Sequence, residues 1–220
     1  MKLRNILFGK YREKVLGNII CNEIEKLKDL NKKKKITIID YGSGYNPEVI
    51  NRVIKSLQTK HKKPTFIAYC YDYYSKEQIK KMNVNKNIKF FHINNLKQKK
   101  LNKFDFCLIL DVLHHIGIDE NKNEIYKITK KLKKLSKFIF IKDHFQYGFF
   151  SNLVLIIMDI VGNYADNVKI PNIYFSTRTY EDFITKLKMT EINRISDKSY
   201  YKWFWFYFNS KKFQFVSILK

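Results

Sequence analysis

The chain has 220 residues, 45% hydrophobic and 16% aromatic, which excludes a disordered chain and leaves room for one well-buried core. Lysine and arginine number 43 against 20 acidic residues, a formal net charge of +23, so nucleic acid and anionic membranes enter as candidate partners. The surplus is mostly lysine, spread along the chain with much Asn and Ile, as an AT-rich coding sequence would leave it.

Residues 3–30 place Ile6, Leu7, Val15, Ile19, Ile20, Ile24 and Leu27 near helical spacing, predicting one or two opening helices. A basic linker at 31–35 separates this helical segment, 1–35, from a main domain, 36–220. The β-branched run 36–40 reads as a buried strand. It ends in Asp40 and breaks into Gly42-Ser43-Gly44, where glycine permits a sharp turn and bare backbone close to a ligand. A helix over 47–57 follows, with Pro47 suited to its first turn. Further strands are expected at 66–71, running into Asp72, at 88–93, closed by Asn94-Asn95, and at 106–110, running into Asp111. A fifth lies at 138–141 and runs into Lys142-Asp143-His144; helices are expected after Ser75 and over 121–135. This alternation predicts an α/β, Rossmann-like, doubly wound and mostly parallel sheet. Polar residues gather at the carboxyl ends of its strands, the edge where such sheets bind ligands.

Residues 145–178 interrupt the rhythm with an apolar helical pattern over 149–161, and read as an insertion or lid at the active edge. A helix over 179–187, capped by Thr177 or Thr179, and a strand over 190–195 follow. The chain closes on a final edge strand at 213–219, and the aromatic run 200–208 either extends a strand or walls a pocket. The 149–161 stretch is too short to span a bilayer, and the basic, interrupted N-terminus lacks a signal-peptide core. Cys21, Cys70 and Cys107 are far apart, with no CxxC pair and no zinc spacing. The expectation is a soluble, cytoplasmic, metal-free protein, with contact to a membrane surface left open.

A dinucleotide fold wants G-x-G-x-x-G after its first strand, and the third glycine is absent here. Asp40-Tyr41-Gly42-Ser43-Gly44 instead resembles the first motif of class I S-adenosylmethionine-dependent methyltransferases. Cys70-Tyr71-Asp72 is similar to the acidic end of that family's second strand, and the run 104–116, FDFCLILDVLHHI, to its fourth-strand motif. The resemblance covers residues 36–141. It implies a seven-stranded sheet with an antiparallel last strand, and S-adenosylmethionine as cofactor. It also implies a set of cofactor contacts: Asp40, Gly42, Ser43, Gly44, Asp72, Tyr73, Asn94, Asn95, Asp111 and Val112. Asp72 would accept bonds from the ribose hydroxyls and an amide at Asn95 or Asn94 would meet the adenine edge. Asp111 would face the sulfonium region or serve as a helix cap. Asp40 either orients the glycine loop or ends the first strand. A second pattern, K-D-H … M-D-x-V-G-N … P-x-x-Y, resembles a bacterial subgroup of these enzymes and marks Asp143, His144, Asp159, Asn163 and Tyr174 as a set.

Methyl transfer from a sulfonium is an in-line displacement in which positioning supplies roughly 7–11 kcal/mol. A hydroxyl or phenol acceptor also needs a base, and His144 or His115 would titrate in the right range. Asp143-His144 alternatively pins the insertion by hydrogen bonds, and His114 and His115 alternatively pack or touch cofactor. Tyr73, Tyr74, Tyr174 and Trp203 are candidate pocket walls. The fourth-strand motif lacks the N/D-P-P-Y type tied to amino-group methylation, so a small-molecule or lipid-like acceptor is favoured. RNA methylation, or a non-catalytic module binding a membrane or partner, are the alternatives.

Overall fold

The computed structural model describes residues 11–27, 33–44, 47–82, 85–97, 103–117, 122–163, 169–196 and 213–220. The expectations for Ile6, Leu7, Trp203 and the 200–208 run lie outside them. Among the described residues, seven strands form one sheet: β1 (Lys35–Tyr41), β2 (Thr65–Asp72), β3 (Ile88–His92), β4 (Phe104–Leu110), β5 (Ser136–His144), β6 (Glu191–Ile195) and β7 (Gln214–Leu219). Their order is β3-β2-β1-β4-β5-β7-β6. Strands β1 to β5 pair in parallel, and β7 is antiparallel to both β5 and β6. The expected Rossmann-like sheet with an antiparallel last strand is therefore the fold.

The closing strand departs from expectation in its place. It was expected at an edge, but β7 lies inside the sheet and β6 takes the edge. All six residues of β7 are buried, Gln214 and Ser217 included. The hydroxyl of Ser217 donates to Glu191 Oε1 at 2.5 Å, so this buried polar group is satisfied by the neighbouring strand.

Helices cover both faces. Helices α1 (Tyr11–Lys26) and α2 (Glu48–Lys60) lie on one side, where Leu16, Ile20, Ile50, Val53 and Leu57 share a core with Ile38, Phe66 and Phe140. Helix α3 (Lys76–Lys81) starts at a capping box formed by Ser75 and Gln78. A short α4 (Leu113–Ile116) precedes α5 (Lys122–Leu135). Residues 145–178 include α6 (Phe149–Asn163), and α7 (Thr177–Lys186) follows it. On the second face Ile125, Leu132, Tyr180 and Phe183 pack against Ile39, Cys107 and Ile139. Ser176, rather than Thr177 or Thr179, caps α7: its hydroxyl accepts from Thr179 N while the Thr179 hydroxyl answers its own N–H. Pro47 stands at the N-cap of α2, one residue before the first turn.

Candidate active site at the carboxyl edge of the sheet

The first half of the site is the loop after β1. Strand β1 continues through Asp40 to Tyr41, so Asp40 does not end it. The chain then turns at Gly42 and Gly44, with φ of 72° and 70°, a region that disfavours side chains. At Gly42 the requirement is also steric, because a Cβ would come within 2.5 Å of a Val112 methyl. Val112 thus locks the glycine loop to the turn after β4. Gly44 N donates to Asp72 Oδ2 at 2.6 Å, and Tyr73 N to Asp72 Oδ1 at 2.7 Å. The Tyr74 hydroxyl lies 2.5 Å from Ser43 Oγ and donates to Gly44 O at 2.7 Å. Asp72 is accordingly a loop-holding carboxylate, while Ser75 caps α3. Burial, with Asp72 nearby, pushes the carboxyl of Asp40 up to about 7. Tyr73 is 69% exposed, and Asn94 and Asn95 are exposed in the 3-10 turn that follows β3. These residues ring the same edge without touching the glycine loop through any hydrogen bond among the described residues.

The second half, over β4 and β5, is charged and buried. Asp111 adopts φ 56° and pairs with both Arg12 of α1 and Lys142 of β5. Burial opposes its ionisation, yet Lys142 and Arg12 outweigh burial and hold the carboxyl well below its ordinary range. Lys142 is fully buried, and desolvation lowers its pKa while Asp111 works against that. Asp111 is therefore an ion-paired residue and not a helix cap.

Beside it, three histidines cluster with Tyr174. The ring of His114 lies 4.0 Å from that of His115, 5.2 Å from His144 and 5.4 Å from Tyr174, centre to centre. His114 is buried between two carboxylates: Nδ1 is 2.6 Å from Asp143 Oδ1, and Nε2 is 3.4 Å from Asp159 Oδ2. Burial alone would neutralise it, but Asp143 and Asp159 prevail and raise its pKa to about 10. The two carboxylates thus favour its protonated form. The same pairing lowers Asp143, and it lowers Asp159 to about 2, in both cases against burial. The Tyr174 hydroxyl bonds Asp159 Oδ2 at 2.5 Å and Leu155 O at 3.0 Å, tying α6 to this cluster.

His144 behaves oppositely. Its backbone N–H donates to Asp143 Oδ1 at 2.8 Å, while its Nδ1 stays 3.7 Å from both Asp111 and Asp143. That nitrogen is buried without a hydrogen-bond partner among the described residues. Burial and the charge on Lys142 lower its pKa, leaving the ring neutral. His115 is also lowered, by burial and then by His114, and its Nδ1 lies 3.0 Å from Lys169 O. The structure thus brings Asp111, Asp143, His144 and His115 together. It adds Arg12 and Lys142, to which the sequence assigned no role, and places His114, expected to pack or touch cofactor, between two carboxylates. One signal existed for Arg12: it stands four residues before Leu16 on the buried stripe of α1. Asn163 ends α6.

No model of a known protein family and no curated protein matches the chain. Solved structures do match. The plantazolicin methyltransferase BpumL, in complex with SAH, is 16% identical with a TM-score of 0.58 over 96% of this chain and 84% of that one. The 1,6-didemethyltoxoflavin-N1-methyltransferase of Burkholderia thailandensis is 8% identical, with a TM-score of 0.58 over 96% and 78%. LepI, solved in complex with SAM, is 13% identical with a TM-score of 0.58 over 90% of this chain, which spans about half, 46%, of LepI. Likeness at these identities shows a shared fold, the Rossmann-like one on which these SAM- and SAH-bound proteins are built.

Proposed function

We propose that the chain is a class I S-adenosylmethionine-dependent methyltransferase acting on a small organic or lipid-linked acceptor. The observation that carries this reading is the glycine loop bonded to Asp72. Gly44 N meets that carboxylate at 2.6 Å, and the space where a Cβ of Gly44 would stand is clear for 4 Å. A backbone cradle with a carboxylate at its rim fits a ribose, because the carboxylate retains acceptor capacity for two hydroxyls. Asn94 and Asn95, exposed in the turn after β3, would meet the adenine edge. The bound cofactor supplies an electrophilic methyl group on its sulfonium.

The chain's residues divide the remaining work. Val112 packs on Gly42 and holds the two halves of the site in register. Asp111, its two oxygens held by Arg12 and Lys142, fixes the turn after β4 beside the glycine loop. His144 is neutral and removes the acceptor proton. Asp143, bonded to His114 Nδ1 and to the His144 backbone N–H, positions His144, and the nearby Asp159 ties α6 to the cluster through Tyr174. His115, whose pKa is also lowered, is the second candidate base. Incubation with methyl-labelled S-adenosylmethionine and a panel of phenols, alcohols and isoprenoid alcohols tests the reading. Label enters at least one acceptor, and His144→Ala lowers kcat by about 10²- to 10⁴-fold, the usual share of a general base, with cofactor affinity unchanged. Cofactor binding without transfer to any acceptor class would refute the enzymatic reading, and full activity in His144→Ala would remove that residue from the mechanism.

A further inference from the structure

Helix α6 is amphipathic the wrong way round for a protein in water. Its polar side faces the protein: Asn152 Nδ2 donates to Asn172 O at 2.9 Å, and Asn152 Oδ1 accepts from Tyr174 N at 3.1 Å. Asp159, seven residues on, accepts from the Tyr174 hydroxyl, and Leu155 between them is 2% exposed. Residues 152, 155 and 159 lie on one face at helical spacing. The outward side is apolar. Phe149 is 76% exposed, Phe150 81%, Leu153 43%, Ile157 45% and Ile160 47%. Tyr147, just before the helix, is 54% exposed. The 15 residues of α6 include no Lys, Arg or Glu, and their one acidic residue, Asp159, is turned inward.

A contiguous stripe of large exposed apolar side chains marks a surface that is covered in use. Two facts choose the cover. The chain carries a formal charge of +23, so two copies meeting face to face repel, whereas an anionic bilayer attracts each of them. No described helix is long and apolar enough to cross a membrane, so the helix can lie on a bilayer but not traverse it. We propose that the outward face of α6, led by Phe149 and Phe150, seats this protein on the surface of an anionic lipid bilayer. The aromatic pair enters the boundary between headgroups and acyl chains, as interfacial helices do, and the basic surplus supplies the attraction to anionic headgroups. Docking of this kind needs no methyl transfer, and vesicle binding reads it without a cofactor.

The test is co-sedimentation of the full chain with phosphatidylcholine vesicles and with mixed phosphatidylcholine–phosphatidylglycerol vesicles, at low and high salt. The anionic vesicles bind the protein, while neutral vesicles or high salt weaken binding about tenfold or more. The double variant Phe149→Ser, Phe150→Ser weakens binding to anionic vesicles about tenfold or more, since each ring gives up its apolar burial. Leu153→Ser with Ile157→Ser gives the same direction and serves if the first pair fails to fold by circular dichroism. Absence of binding to either vesicle overturns the proposal. So does wild-type binding by a folded variant, which would leave charge alone as the cause. A dimer in sedimentation equilibrium that these substitutions dissolve would make the cover a second copy instead.

Discussion

Replacing His114 by Asn probes the buried charge cluster under the site. The histidine is buried between Asp143 and Asp159, and its pKa rises from an ordinary 6.5 to about 10. At about 1.4 kcal/mol per pH unit, this rise corresponds to roughly 5 kcal/mol of stabilisation of the charged form. Removing one partner of a buried pair gives a similar figure, about 3–5 kcal/mol. The folded-state pKa lies above the unfolded one, so the contribution is complete below 6.5 and is lost as pH rises through about 10. Asp143, whose pKa is lowered, contributes above the ordinary carboxylate range and loses its contribution as pH falls. The difference between wild type and His114→Asn in urea unfolding is therefore largest from about pH 4 to 6.5. It shrinks steadily toward pH 10. A loss below about 1 kcal/mol at pH 6, or a difference independent of pH, would refute the buried imidazolium.

Gly42→Ala places a methyl against Val112 at a positive φ and lowers stability by about 1–3 kcal/mol; Val112→Ala in the same chain recovers part of it, as thermal melts will show. Tyr174→Phe deletes bonds to Asp159 and Leu155 O and costs about 1–3 kcal/mol in chemical denaturation. With His144 as base, its lowered pKa makes kcat rise with pH through a value below 6.5 and level off near neutrality. A limb centred above 7 would assign the base elsewhere.

The strands were legible because buried parallel strands are written as β-branched and aromatic runs, and because glycine after β1 and acidic residues after β2 and β4 mark where they stop. The place of β7 was not legible. A closing strand with Gln214 and Ser217 reads as an edge, and only the fold shows both residues buried, with the Ser217 hydroxyl taken up by Glu191 of β6. The glycine loop and Asp72 could be read locally, since each motif lies within a few residues. The charged half of the site could not, because its contacts are long-range: Arg12 reaches Asp111 across 99 positions, and His114 reaches Asp143 across 29. Lys142 illustrates the limit best. A lysine at a strand end reads as a solvated terminus, and only the fold shows it fully buried against Asp111.

The measurement that tests the central claim is calorimetric titration of the purified chain, and of Asp72→Ala, with S-adenosylmethionine, S-adenosylhomocysteine and NAD. The first two bind and NAD does not, and the substitution weakens binding about ten- to a hundredfold, in line with hydrogen bonds to a charged group. Failure of both sulfur ligands to bind the folded wild-type chain, or preference for NAD, would contradict the assignment of the glycine loop and the function built upon it.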